Sequence, residues 1–248
     1  MILIDKLFRK FGYVRAESIK ILTDLWTDKD FVELHNLVRP FTMTSPERMY
    51  SLYNAMRYIG AQRIPGDLVE CGVWKGGSSM IMARMLVNQG DEQRGLFLYD
   101  TFEGMSAPGA EDIDVQGNDA GKLLQKQSKD DVNSIWCYST LDEVQANLQR
   151  TGFPASRIEY VKGKVEDTIP GTIPEKIALL RLDTDWYDST YHELTHLFPL
   201  LQPGGLLIID DYGYWQGARK AVDQYFQENN LAPLLHRIDD TGRIYQKI

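Results

Sequence analysis

Cysteine is scarce. The chain has two in 248 residues, Cys71 and Cys137. Their spacing gives neither a disulfide framework nor a metal-binding pair, so a reduced, cytoplasmic setting is expected. Long apolar runs are missing as well. None reaches the roughly 20 residues that a helix needs to cross a bilayer. The N-terminal stretch MILIDKLFRKFGYVRAESIK is partly amphipathic. It lacks the long apolar centre and small-residue cleavage site of a signal peptide, and no membrane partner is expected. Basic charge is in deficit too. The formal net charge is −8, and no basic stripe offsets it, which argues against a nucleic-acid partner. Internal repeats and low-complexity tracts are also lacking.

What is present divides in two. Residues 1–64 read as a helical segment, with Leu22, Trp26, Phe31, Leu34 and Leu37 at irregular helix-like intervals. TSPERMYSLYNAMRYI is clearer: Ser45 can cap, Pro46 suits the first helical position, and Met49, Leu52, Tyr53, Met56 and Ile59 form one face. From residue 67 short apolar runs alternate with amphipathic helices, as in DLVECG followed by SSMIMARMLVNQ and KIALLRLD followed by STYHELTHLFPLLQ. That alternation predicts βαβ units and a parallel sheet covered on both faces. The end differs, because LAPLLHRI, the turn DDTG and RIYQKI predict an antiparallel hairpin. The expected organisation is an N-terminal helical lid, 1–64, and a main domain, 65–248, carrying a mobile polar insertion over 103–138.

LVECGVWKGGSSM (68–80) runs strand, glycine turn, helix. Gly72, Gly76 and Gly77 let the backbone approach a ligand at a helix N-terminus. Trp74 stands where a dinucleotide fingerprint has its second glycine, so a nucleoside without a pyrophosphate is favoured. Glu70 at the strand end suits an ammonium or a hydroxyl. Asp100 ends the next strand, where an acid can take ribose hydroxyls. Together, in this order, these features favour S-adenosylmethionine.

VECGVWKGGS, LYDTFEGM, LLRLDTDWYDST and PGGLLIIDDYGYWQGARKAVD, with TMTSPERM ahead of them, resemble the macrocin-type (TylF) O-methyltransferase family over roughly residues 40–248. The resemblance implies a class I methyltransferase, an α/β Rossmann-like fold. Its mostly parallel seven-stranded sheet would carry the C-terminal hairpin. It also implies S-adenosylmethionine, a divalent metal, usually Mg²⁺, and a small-molecule hydroxyl acceptor. It leaves a homodimer or higher homo-oligomer open. By position, Glu70, Gly72, Trp74 and Ser78 would hold the methionine part of the donor, Asp100 with Thr101 and Phe102 the ribose, and Val165 and Glu166 the adenine border. Ser139 would also reach the donor.

Two apolar strands end in acids, at RLDTDWYD and LLIIDD. If neighbours, they open their carboxyl ends onto one crevice, about 4.8 Å apart. Asp183, Asp210 and Asp211 would then converge, and all-oxygen ligands select a hard cation such as Mg²⁺. The resemblance assigns the metal to the same three. The alternative is solvated strand-end acids, or a helix cap at Asp188–Ser189. Asp183 or Asp185 would act as general base, and Asp185 is otherwise a partner of the metal ligands. HELTH (192–196) matches a zinc-protease signature, but it lies in a helix between sheet strands, and its histidines read as surface or flank residues. The rival functions are a phosphohydrolase using the acids and a non-catalytic protein on a methyltransferase scaffold.

Overall fold

The computed structural model describes residues 24–91, 93–131 and 134–248. Expectations for residues 1–23, Leu22 included, lie outside them. Three helices come first: α1 (Asp24–Thr27), α2 (Lys29–Val38) and α3 (Pro46–Gln62). Ser45 caps α3 by accepting from the Arg48 N–H at 3.1 Å, and Pro46 occupies its first turn. All five apolar residues predicted for one face of α3 are buried, as are Phe31 and Leu34 of α2, whereas Trp26 is 40% exposed.

The main domain follows as β1 (Asp67–Cys71), α4 (Gly77–Gln89), β2 (Leu96–Asp100), α5 (Ala120–Lys126), α6 (Leu141–Gln149), β3 (Ile158–Lys162), α7 (Val165–Thr168), β4 (Ile177–Leu182), α8 (Tyr187–Leu197), β5 (Leu201–Ile209), α9 (Gln216–Glu228), β6 (His236–Arg237) and β7 (Arg243–Gln246). The sheet order is β3-β2-β1-β4-β5-β7-β6. β3, β2, β1, β4 and β5 are parallel to one another, and β7 runs antiparallel to β5 and to β6. One apolar cluster packs Leu68, Leu98 and Leu179 under α2, α3 and α4. A second packs Val69, Leu180 and Leu207 under α8 and α9. Both faces of the central strands are thus buried, which explains their near-continuous apolar sequence.

The hairpin is shorter than LAPLLHRI suggests, because its first strand keeps only His236 and Arg237. Pro233 has no N–H to give a ladder, and the segment lies at the sheet edge. Asp239 builds the turn, its Oδ1 accepting from the N–H groups of Thr241 and Gly242 at 3.0 and 2.7 Å. The Ser45 hydroxyl donates to Asp239 Oδ2 at 2.6 Å, which ties the start of α3 to that turn.

The insertion contains a helix that a reading as loop did not include. Asp119 caps α5 through the Lys122 N–H at 2.8 Å, and Ala120 and Leu124 bury against Trp186, Trp215 and Ala218. Asp112, 1% exposed, accepts from the N–H groups of Tyr187 at 2.8 Å and Gly109 at 2.6 Å. The cap of α8 therefore comes from the insertion and not from Asp188–Ser189. No local pattern announces a cap located 75 residues upstream.

Candidate active site

The carboxyl ends of β1, β2, β4 and β5 open onto one cleft with a cavity volume of about 230 Å³. Hydrogen bonds carry the ladder past the strand ends: Gly72 N–H to Tyr99 O at 2.9 Å, Asp183 N–H to Cys71 O at 2.8 Å, and Asp210 N–H to Leu182 O at 3.0 Å. β4 and β5 are neighbours in register, Leu182 opposite Ile209, so the two acid-ended strands lie side by side. Gly72 has φ +82°, and a Cβ there would sit 2.0 Å from Asp183 O. Only glycine lets the donor turn and the acid strand come so close.

Asp100 holds this turn together. Its Oδ2 accepts from the N–H groups of Val73 and Trp74 at 2.7 and 3.0 Å, and its Oδ1 from that of Phe102 at 2.7 Å. Burial pushes its carboxyl up, and these bonds oppose the shift. Glu70, 1% exposed, accepts from the Ser79 hydroxyl and from Arg181. Burial outweighs Arg181 and raises Glu70 to about 7.

Asp183, Asp185 and Asp211 each offer a carboxylate oxygen, and these oxygens lie within 4.8 Å of one another. Burial is the main cause that pushes all three up; Asp183 next raises Asp185, to about 7. Asp185 sits at φ +69°, a left-handed conformation uncommon outside glycine and tolerated best by Asn and Asp. The trio differs from the expected one. Asp210 is 3% exposed and its oxygens are held by Arg181 and Arg48. Arg48 also pairs with Asp239 at 3.0 Å. A close set of carboxylate oxygens short of positive charge fits a hard divalent cation.

Of the residues singled out in the sequence, Glu70, Gly72, Trp74, Ser78, Asp100, Thr101, Val165, Glu166, Asp183, Asp185, Asp210 and Asp211 line this one cleft. Two do not. Phe102 is buried beside the Tyr160 ring, with centroids 6.4 Å apart. Ser139 is buried and donates to Glu143 at 2.9 Å. Arg48, Arg181 and Cys137 were not among the residues expected at the site. Arg48 and Cys137 line the cleft, whereas Arg181 lies beneath its acids. The signal for Arg181 was a charge inside the apolar run IALLRL, since a buried charge needs a partner. In HELTH, His192 is half-buried with Nε2 2.9 Å from Ile169 O, and Glu193 between the histidines is fully buried. The only group with metal-ligand spacing among the described residues is the Asp trio.

The model of the macrocin O-methyltransferase (TylF) family matches residues 34–247. The chain belongs to that family. It is an S-adenosylmethionine-dependent O-methyltransferase. A relative from Streptomyces olivaceus, 8-demethyl-8-(2,3-dimethoxy-alpha-L-rhamnosyl)-tetracenomycin-C 4'-O-methyltransferase, is 35% identical over 201 residues, which cover 81% of this chain and 73% of that protein. Demethyldecarbamoylnovobiocin O-methyltransferase of Streptomyces niveus is 30% identical over 206 residues, 83% of this chain and 75% of its own length. The solved O-methyltransferase NovP superposes with a TM-score of 0.70 at 30% identity, covering 84% of this chain and 82% of that one. The expected class I methyltransferase fold is the fold observed. Family membership leaves the phosphohydrolase and non-catalytic readings without support. Among the described residues no helix is long and apolar enough to cross a membrane.

Proposed function

We propose that this enzyme methylates a hydroxyl of a sugar or other natural-product intermediate, and that it uses Mg²⁺ to do so. The observation that carries the reading is one cleft that joins a glycine turn bordered by Glu70 and Asp100 to the Asp183, Asp185 and Asp211 oxygens. The named acceptors of the relatives, a rhamnosyl tetracenomycin and a novobiocin precursor, support the acceptor class. Glu70 and Ser78 would meet the methionine end of the donor, Asp100 and Thr101 the ribose, and Val165 and Glu166 the adenine border. Asp183 and Asp211 would hold the cation with Asp185 beside them, while Asp210 stays engaged by Arg48 and Arg181. A divalent cation supplies charge that favours ionisation of the hydroxyl.

The chain's own residues do the rest. Asp185 projects from the turn after β4 into the cleft beside Asp183 and receives the proton of the hydroxyl. The sheet ends fix the donor turn and the acids in one rigid frame, so that oxygen and methyl meet in attack geometry. Residues 24–64 and the docked insertion border the cleft through Thr42, Met43, Met105 and Cys137. They set the acceptor and exclude water as a lid would. A cytoplasmic setting fits such a biosynthetic enzyme.

The experiment is methyl transfer against a panel of glycosylated hydroxyl acceptors, with and without chelator, in the wild type and in Asp185→Asn. Asparagine tolerates the left-handed backbone, so the fold survives. We expect chelator to stop turnover. We expect Asp185→Asn to lose roughly 10²–10⁴ in kcat, the usual worth of a general base, with donor affinity kept. Full turnover in chelator would remove the metal from the reading, and wild-type kcat in Asp185→Asn would remove the base.

A further inference from the structure

Arg181 is the one charged residue of β4 and is 3% exposed. It lies opposite Glu70 of β1 in the parallel register, so both side chains stand on the same sheet face. Its Nη1 donates to two carboxylates at once, Glu70 Oε1 at 2.8 Å and Asp183 Oδ2 at 2.7 Å. Its Nη2 donates to Asp210 Oδ1 at 2.5 Å. Glu70 belongs to the donor end of the cleft and Asp183 to the acid cluster. One buried guanidinium therefore spans both.

We propose that Arg181 is a positioning residue that couples the donor end of the cleft to its cation end. This rests on the reading above, in which Glu70 meets the donor's ammonium and Asp183 a divalent cation. Nη1 shares its hydrogens between Glu70 and Asp183. A ligand that draws on one carboxylate changes what the nitrogen gives to the other. The interior makes the exchange consequential, because a buried carboxylate left without its partner is costly. Arginine is needed for this geometry. Its planar fork reaches three carboxylates in fixed directions, whereas a lysine ammonium is a point charge on a flexible stem. Arg181 touches neither donor nor acceptor in this role; it acts through the acids that do.

The test is calorimetry on the full chain. S-adenosylhomocysteine is titrated with and without Mn²⁺, and Mn²⁺ with and without S-adenosylhomocysteine. Linkage requires the two factors to be equal, and we expect each ligand to change the affinity of the other by at least about fivefold. Arg181→Lys, with its fold checked by near-ultraviolet circular dichroism, is expected to weaken both ligands by roughly tenfold or more and to abolish the coupling. A purely structural arginine would lower the melting temperature and leave both affinities of the folded variant unchanged. Independent binding of the two ligands in the wild type overturns the proposal, and so does wild-type coupling retained in folded Arg181→Lys. The wild-type measurement decides alone if the variant does not fold. Failure of either ligand to bind the wild type at all would instead overturn the reading of the site, and the link with it.

Discussion

Glu193 of α8 carries a carboxylate that is fully buried. Thr184 donates to Oε1 at 2.9 Å, and the buried Cys71 thiol also acts on this carboxylate. Burial pushes the group well above the usual carboxylate range, against the pull of the Thr184 bond. The folded chain thus keeps this proton to higher pH than the unfolded chain, where glutamate titrates near about 4.3. The contribution to stability is full below that value and is lost as pH rises through the raised one. Each pH unit crossed in that window costs about 1.4 kcal/mol from this group. Glu193→Gln removes the titration. Urea unfolding at about pH 5 and about pH 8 should show a smaller loss of stability in the variant than in the wild type. An equal pH dependence in both would mean that Glu193 does not titrate differently on unfolding. HELTH drew attention to its histidines, while the residue with the unusual environment is the glutamate between them. Burial of a single helix position depends on which face meets the sheet, and here Glu193 turns inward one residue before Leu194.

At the scale of elements, the insertion is held to the start of α8 by Asp112 and to the start of α9 by the bridge between Asp114 and Trp215. Gly217 makes room for this, since a Cβ there would lie 2.0 Å from Asp112 Oδ1. Asp112→Ala strips the Tyr187 N–H of its acceptor and should cost about 1–2 kcal/mol, as for the loss of a helix cap. Hydrogen exchange should rise over 103–131 and at the first turn of α8, and acceptor KM should rise more than donor KM. Unchanged exchange in the insertion would mean that the tryptophan cluster alone holds it down. The strands were legible from alternating apolar runs, and the cap of α3 from Ser45 and Pro46; the order of the strands in the sheet was not. The docking of the insertion was not, because its contacts join residues far apart in the chain and follow no period.

Across the whole molecule, two buried or half-buried arginines, Arg48 and Arg181, face the five carboxylates of Glu70, Asp183, Asp185, Asp210 and Asp211. The cleft is short of positive charge, and a cationic donor and a divalent cation would both relieve it. Ligands that bind only the folded state stabilise it by mass action, about 2.7 kcal/mol at one hundred times Kd. S-adenosylhomocysteine and Mg²⁺ should therefore each raise the melting temperature, and chelator should reverse the second rise alone. A melting temperature indifferent to Mg²⁺ at millimolar concentration would argue that the acid cluster binds no cation.

The sequence by itself determined the class of fold, the family and most of the cleft's wall. The class of fold depends on local information, namely period-two and period-3.6 patterns, glycines where a backbone must turn back on itself, and acids at the ends of apolar strands; the family, with Trp74, Ser78, Thr101, Val165 and Glu166 in the wall, came from the resemblance of whole motifs. Tertiary structure decided which charges meet. Asp210 lies next to Asp211 in the chain, yet Arg48 from α3 and Arg181 from β4 claim it, while Asp185 closes the trio in its place. Asp100, expected at the ribose, first staples the glycine turn through the Val73 and Trp74 N–H groups and its own turn through that of Phe102. Such pairings follow from distance and burial in three dimensions. A low-dielectric interior forces every charge to find a partner, and sequence spacing does not say which one lies within reach.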